Sequence, residues 1–183
     1  MLARLLCASL LLVSAALAQT ESYLTRGVGE LSASAGASLA PGHEPLAAPS
    51  FGLTYAVGLS RHFAGTFNYA FDHYGRISGC DRVCGPGHLT DHEFTGGVRV
   101  SFPLHVVTPY GVGMLGGLLT WAHKDTAGVE SNVSSSRFVG GGGLGMDIRV
   151  SRFAGFQVES RVMVDRARFY YVRTMAGIYI RHR

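Results

Sequence analysis

Lysine is almost missing from this chain: of 16 basic residues among 183, 15 are arginine and the other is Lys124. Charged residues of both signs reach only 15 %, against roughly 25 % in an average soluble domain. That scarcity excludes a Lys/Glu-rich coiled coil, and 47 % hydrophobic content excludes a disordered chain. Three cysteines are too few for a disulfide-dense miniprotein. The net charge of +4 is scattered along the chain and leaves no footprint for nucleic acid. Beyond residue 18 no apolar run reaches the roughly 20 residues of a membrane-crossing helix. Leu104 to Leu119 comes nearest, but Pro109, Gly111, Gly113, Gly116 and Gly117 interrupt it. The sequence also carries no G-x-S-x-G elbow, no H-E-x-x-H and no phosphate-binding loop. No enzyme activity, cofactor or bound metal is therefore expected.

What is present begins with an export segment. Arg4 supplies a short positive region, Leu5 to Val13 is mostly apolar, and Ala16-Leu17-Ala18 forms a small-x-small cleavage site. The sequence thus predicts a signal peptide over residues 1–18 and a single domain over residues 19–183.

From Glu30 onward, apolar and polar residues alternate with period two, as they do on a strand with one apolar face. Leu31, Ala33, Ala35, Ala37 and Leu39 oppose Glu30, Ser32, Ser34, Gly36 and Ser38. The same pattern returns with Phe51, Leu53, Tyr55 and Val57, with Phe63, Phe67, Tyr69 and Phe71, and with Phe94, Val98, Val100 and Phe102. A fifth strand, about Thr108 to Trp121, is less regular, and Gly116-Gly117 reads as a bulge that shifts its phase. Leu144, Met146 and Ile148, then Phe156, Val158 and Val162, then Val172, Ile178 and Ile180 complete eight strands. Long polar connections over 41–49, 73–91 and 122–137 alternate with short ones at 60–61, 103–106 and 151–155. That alternation predicts an all-β, eight-stranded antiparallel up-and-down transmembrane barrel, with its short turns toward the periplasm.

A soluble lipocalin-like carrier would show the same alternation with its apolar face inside. The polar face decides against it, because it consists of Gly, Ser, Ala and Thr with few charges. Small side chains suit the interior of an eight-stranded barrel, which has room only for side chains. The charges on that face balance: Glu30, Glu93, Asp147 and Glu159 against Arg99, Arg149, Arg161 and Arg173. Charges confined together must be paired, and arginine's planar fork meets carboxylates in two contacts. These eight are expected to form an ion-pair network that closes the lumen. Phe51, Phe63, Phe71, Phe94, Phe102, Tyr110, Phe138, Phe156 and Tyr170 fall near strand ends, where interfacial girdles sit.

The Gly27–Leu39 opening, the Thr108-Pro-Tyr-Gly-Val-Gly segment and the closing Ala176-Gly-Ile-Tyr-Ile-Arg resemble the OmpA/OmpX-like family of small bacterial outer-membrane barrels. The resemblance spans nearly the whole of 19–183 and rests on pattern. It implies the outer membrane of a Gram-negative-type bacterium, with outer-membrane lipid and the export and barrel-assembly machinery as partners. It also implies a structural or surface-interaction role. An adhesin or ligand-binding barrel that captures a surface ligand through the His73–Asp91 loop is the alternative.

Within that loop stand the two cysteines that remain after export, Cys80 and Cys84. An even count in an oxidising compartment predicts a disulfide between them. His88 and His92 follow at the same step of four and would complete a soft metal-ligand set. Oxidation removes both thiolates, and Gly85-Pro86-Gly87 prevents the helix that would align the four.

Overall fold

A computed structural model describes residues 24–40, 46–74, 87–126, 129–165 and 168–183. The expected signal peptide (1–18), Cys80 and Cys84 lie outside the described residues. Eight strands follow one another: β1 (Gly29–Ala40), β2 (Leu46–Gly58), β3 (Phe63–Tyr74), β4 (Gly87–Ser101), β5 (Val107–Thr126), β6 (Val129–Arg149), β7 (Ala154–Asp165) and β8 (Arg168–His182). Each pairs antiparallel with its neighbours in chain order, and β8 returns to β1, so the sheet closes into a barrel.

The pleat sorts side chains by polarity, and it sorts them inside out. One residue from each strand in turn, Leu31, Leu53, Phe67, Val98, Leu115, Leu144, Val158 and Ile178, is between 43 % and 75 % exposed. Inside, Glu30, Asn68, Glu93, Asp147 and Arg173 are at most 2 % exposed. A water-soluble barrel has the opposite arrangement. The lipocalin-like alternative is thus incompatible with the fold.

Short turns join the strands at the end that carries both described termini. At two of them a serine organises the turn: Ser60 Oγ accepts from the His62 and Phe63 amides, and Ser151 Oγ from those of Phe153 and Ala154. The turn between β4 and β5 passes through His105, whose φ of +46° is left-handed.

Three expectations are corrected. The bulge at Gly116-Gly117 does not form, since pairing with β4 and with β6 runs unbroken along β5. Gly116 points inward, where an added Cβ would strike the Phe94 carbonyl; the glycine admits a close strand approach and keeps the phase. In consequence Val112, Met114 and Leu118 face the lumen, and the fifth strand buries apolar residues inside. Tyr110 is likewise not part of a girdle but is buried in the lumen, 3 % exposed.

The long polar connections are also shorter than their composition suggests. β5 and β6 stay paired out to Thr126↔Val129, well into the segment 122–137, and β3 and β4 out to Tyr74↔Leu89. A ladder needs only backbone partners, so strands continue past the level at which one face must be apolar.

Val98 lies on β4 at the middle of the apolar outward series Phe94 to Phe102, opposite Gly65 and Gly113. We expect Val98→Arg to lower folding stability in lipid vesicles by about 2–4 kcal/mol, as a charge at mid-bilayer does. Denaturant titration followed by tryptophan emission measures it, and a change near zero would place this face in water.

Candidate functional site

Inward-facing side chains meet across the lumen in three tiers. Near the terminal end, four residues from four strands form a closed ring of alternating charge. Arg99 on β4 contacts Glu30 on β1 at 2.9 Å and also pairs with Asp147 on β6. Arg181 on β8 contacts the same two carboxylates, Glu30 at 2.7 Å and Asp147 at 3.1 Å. Each arginine also rests on a tyrosine face, Arg99 over Tyr110 at 3.8 Å and Arg181 over Tyr179 at 4.6 Å.

The middle tier is more polar than ionic. Tyr110 donates to Glu159 at 2.8 Å and accepts from the Gln157 amide at 2.5 Å. Glu159 pairs with Arg161, which reaches across the lumen to Asn68 Oδ1 at 3.0 Å. Tyr110 can occupy this place because its ring lies where any Cβ at position 145 would be; Gly145 keeps the space.

In the outer tier Arg173 on β8 bridges Asp72 on β3, at 2.5 Å, and Glu93 on β4, at 2.9 Å. Ser50 donates to Asp72, and Tyr171 and Thr95 donate to Glu93. Beside this tier Val112, Met114, Leu118, Val139, Met163 and Tyr171 pack into an apolar cluster, so one side of the lumen is a hydrophobic core.

Of the eight residues expected in the charge network, Glu30, Arg99 and Asp147 meet in the ring, Glu159 and Arg161 in the middle, and Glu93 and Arg173 in the outer tier. Arg149 is placed differently. It stands at the last residue of β6, half-buried, and donates to the His105 carbonyl of the adjacent turn at 2.8 Å. Sequence reasoning left out Asp72 and Arg181. The signal for both was parity, since Asp72 alternates with Asn68 and Arg181 with Arg173 on inward faces. Asp91 is buried as well, as the cross-strand neighbour of Asp72. The buried inventory among the described residues is accordingly six acids and four arginines rather than four of each.

Outside the wall, at the loop end, a second group gathers. His92 sits between Phe71 and Trp121, with ring centroids 5.1 and 4.8 Å away, and lies 2.9 Å from the Tyr69 hydroxyl through Nδ1. His73 and His88 stack at 5.8 Å at the adjoining ends of β3 and β4. Among the described residues no three His, Cys, Asp or Glu side chains converge as metal ligands.

No family model matches the chain, and no curated protein matches it. Solved structures do. Ail, the attachment invasion locus protein of Yersinia pestis, superposes with a TM-score of 0.65 at 16 % identity, over 86 % of this chain and 100 % of Ail. Neisserial surface protein A gives 0.62 at 14 % identity, over 85 % of this chain and 99 % of its own. OprG of Pseudomonas aeruginosa gives 0.59 at 13 % identity, over 88 % and 99 %. The chain has the fold of the small outer-membrane barrels. Taken with the apolar belt, that fold makes it an integral β-barrel of an outer membrane. A structure of Ail also exists in complex with the heparin analogue sucrose octasulfate, with a TM-score of 0.63 at 18 % identity.

Removing one arginine from the ring leaves Glu30 and Asp147 sharing a single countercharge. Arg99→Met should therefore cost about 3–5 kcal/mol of folding free energy, the usual penalty for breaking a buried pair. Adding Asp147→Asn should restore a large part of that loss, because the surplus carboxylate goes with it. A double-mutant cycle in denaturant reads the coupling, and strictly additive losses would show the ring to be energetically unconnected.

Proposed function

We propose that this protein is a non-catalytic outer-membrane barrel with a lumen shut by paired charges, acting through the surface that it presents at the loop end. The observation that carries the reading is the stacking of three bonded tiers across an eight-stranded interior. The guanidinium of Arg161 spans from Glu159 to Asn68, and the rings of Tyr110, Tyr171 and Tyr179 fill the space between tiers. The described cavity within the lumen, beside Ser34, Thr54 and Arg161, has a volume of about 10 Å³, space for a single water. Carboxylates committed to arginines are poor general bases for a bound substrate, which supports a role outside catalysis.

A barrel without a pore works by its exterior. β5 and β6 run 20 and 21 residues, while β1, β3 and β7 have 12, so a two-stranded blade projects beyond the wall. The complex of Ail with a heparin analogue supports the reading that a barrel of this fold takes a ligand. Outer-membrane lipid and the assembly machinery are the further partners of this reading.

Purified protein in planar bilayers should give no large, stable single-channel steps at neutral pH. Charge-neutral replacement of the outer tier, Arg173→Met with Glu93→Gln, should leave conductance equally low, because tyrosine and methionine side chains still fill the space. Sustained ionic current through the unmodified protein would overturn the closed lumen.

We further infer that residues 1–18 are removed on export and that Cys80 and Cys84 are joined in the mature protein. The bridge would enclose only Asp81, Arg82 and Val83, so its entropic contribution is confined to the loop tip. Replacing both cysteines by serine should leave barrel folding unchanged and raise protease sensitivity within 75–86. Maleimide labelling of envelope-purified protein without reductant should find no free thiol; two reactive cysteines would refute the bridge.

A further inference from the structure

The outer wall of the barrel changes character within one or two residues at the loop end. Along β4 the outward-facing positions read Val98, Gly96 and Phe94, and then His92, Thr90 and His88. Along β5 they read Leu115, Gly117, Leu119 and Trp121, and then His123. On β6 the apolar series ends at Phe138 and is followed by Ser136, Ser134 and Asn132. The apolar series ends at the same level on β4 and β6 and runs two outward positions further on β5, where Leu119 lies across from His92 and Ser136 and Trp121 from Thr90 and Ser134. Around Trp121 a groove opens. His88, Thr90, Trp121, His123, Asn132 and Ser134 line it, around a volume of about 430 Å³. That lies within the roughly 300–1,000 Å³ of small-molecule sites.

The groove is organised in advance of any ligand. Trp121 is 53 % exposed, yet its ring packs on His92, which the Tyr69 hydroxyl holds in place. Beside Trp121 on the same outer face, His123 Nδ1 lies 2.7 Å from Asn132 Oδ1. With Nδ1–H as the donor, Nε2 is an acceptor and the Asn132 amide keeps two N–H donors. Thr90 and Ser134 add hydroxyls that donate or accept. No carboxylate and no guanidinium belongs to these six side chains.

A flat aromatic surface flanked by neutral groups of both hydrogen-bonding senses matches a sugar ring, which has an apolar C–H face and hydroxyls around its edge. An acyl chain would leave the polar wall unsatisfied. The position selects the source: the groove lies on the outer face at the loop end of the apolar belt, the side on which a transmembrane barrel meets lipid headgroups. We propose that this groove binds a sugar ring of an outer-leaflet glycolipid headgroup, stacked on Trp121 and hydrogen-bonded by His123 and Asn132.

Trp121 is the sole tryptophan of the chain, so its emission reports the site directly. The mature chain is folded into nanodiscs of phosphatidylcholine containing increasing fractions of lipopolysaccharide. A second series carries phosphatidylglycerol, which has the charge without the sugar. A third adds the oligosaccharide released from the same lipopolysaccharide to plain phosphatidylcholine discs. The expected result is a saturable emission change with lipopolysaccharide, none with phosphatidylglycerol, and a weaker one with free oligosaccharide. His123→Ala with Asn132→Ala should raise the half-saturating fraction about ten-fold, the scale of one or two lost hydrogen bonds. Ser134→Val is a second variant on the same wall, and a heat-modifiability gel verifies that each barrel folds. An equal response to phosphatidylglycerol, or an unchanged half-saturation in both folded variants, overturns the proposal. Free oligosaccharide bound as tightly as lipopolysaccharide overturns the glycolipid assignment. The groove lies outside the lumen, so these outcomes are independent of whether the barrel conducts.

Discussion

Closing only eight strands on themselves leaves an interior as narrow as the side chains that line it. Every inward residue therefore meets one from the opposite wall, and any charge placed there must find its complement within a few ångströms. Arg99 and Arg181 answer this by sharing Glu30 and Asp147 between them, and Arg173 by holding Asp72 and Glu93 at once. The choice of arginine for all four buried cations among the described residues follows from the same confinement. A guanidinium offers five donors in a plane and can serve two carboxylates while its face lies on a tyrosine ring. An ammonium on a flexible stem can do neither as well. The exterior carries the complementary demand: with the polar groups turned inward, what remains outside is a surface that only lipid covers without cost.

The fold was legible because both demands leave period-two marks. Wherever one face must be apolar and the other small or charged, the alternation is visible in the residues themselves, as in Leu31 to Leu39 or Phe156 to Val164. Seven of the eight expected network charges could be placed inside from parity alone, and parity also pointed to Asp72 and Arg181. Equal numbers of each sign are not required inside, because buried carboxylates are also satisfied by hydroxyls, such as Ser50 on Asp72 and Tyr171 on Glu93.

Where the sequence misled, a local feature carried two meanings. The Gly116-Gly117 pair is compatible with a bulge and with close strand packing; only the Phe94 carbonyl opposite Gly116 distinguishes them. Tyr110 has the composition of a girdle residue, but Gly145 provides a vacancy for its ring that lies 35 positions away in sequence. Arg149 keeps inward parity yet sits one residue from a turn, where the wall ends and a backbone carbonyl replaces a carboxylate. The groove beside Trp121 was invisible for another reason. It is assembled from three strands above the belt, where composition is polar and alternation no longer tells inside from outside.

The charge ring also ties together the two ends of the chain. Glu30 is the second residue of the first strand, and Arg181 is the next to last of the final one; their contact spans the seam where β1 meets β8. A barrel with that seam unzipped retains Glu30 and Asp147 but withdraws one of their two arginines from the lumen. The partly open form therefore leaves the two carboxylates of the ring with one countercharge, whereas the closed ring holds two of each sign. Closing the seam thus returns to Glu30 and Asp147 the second arginine that the open form lacks, and the ring has its full complement of charge only when β1 and β8 are paired.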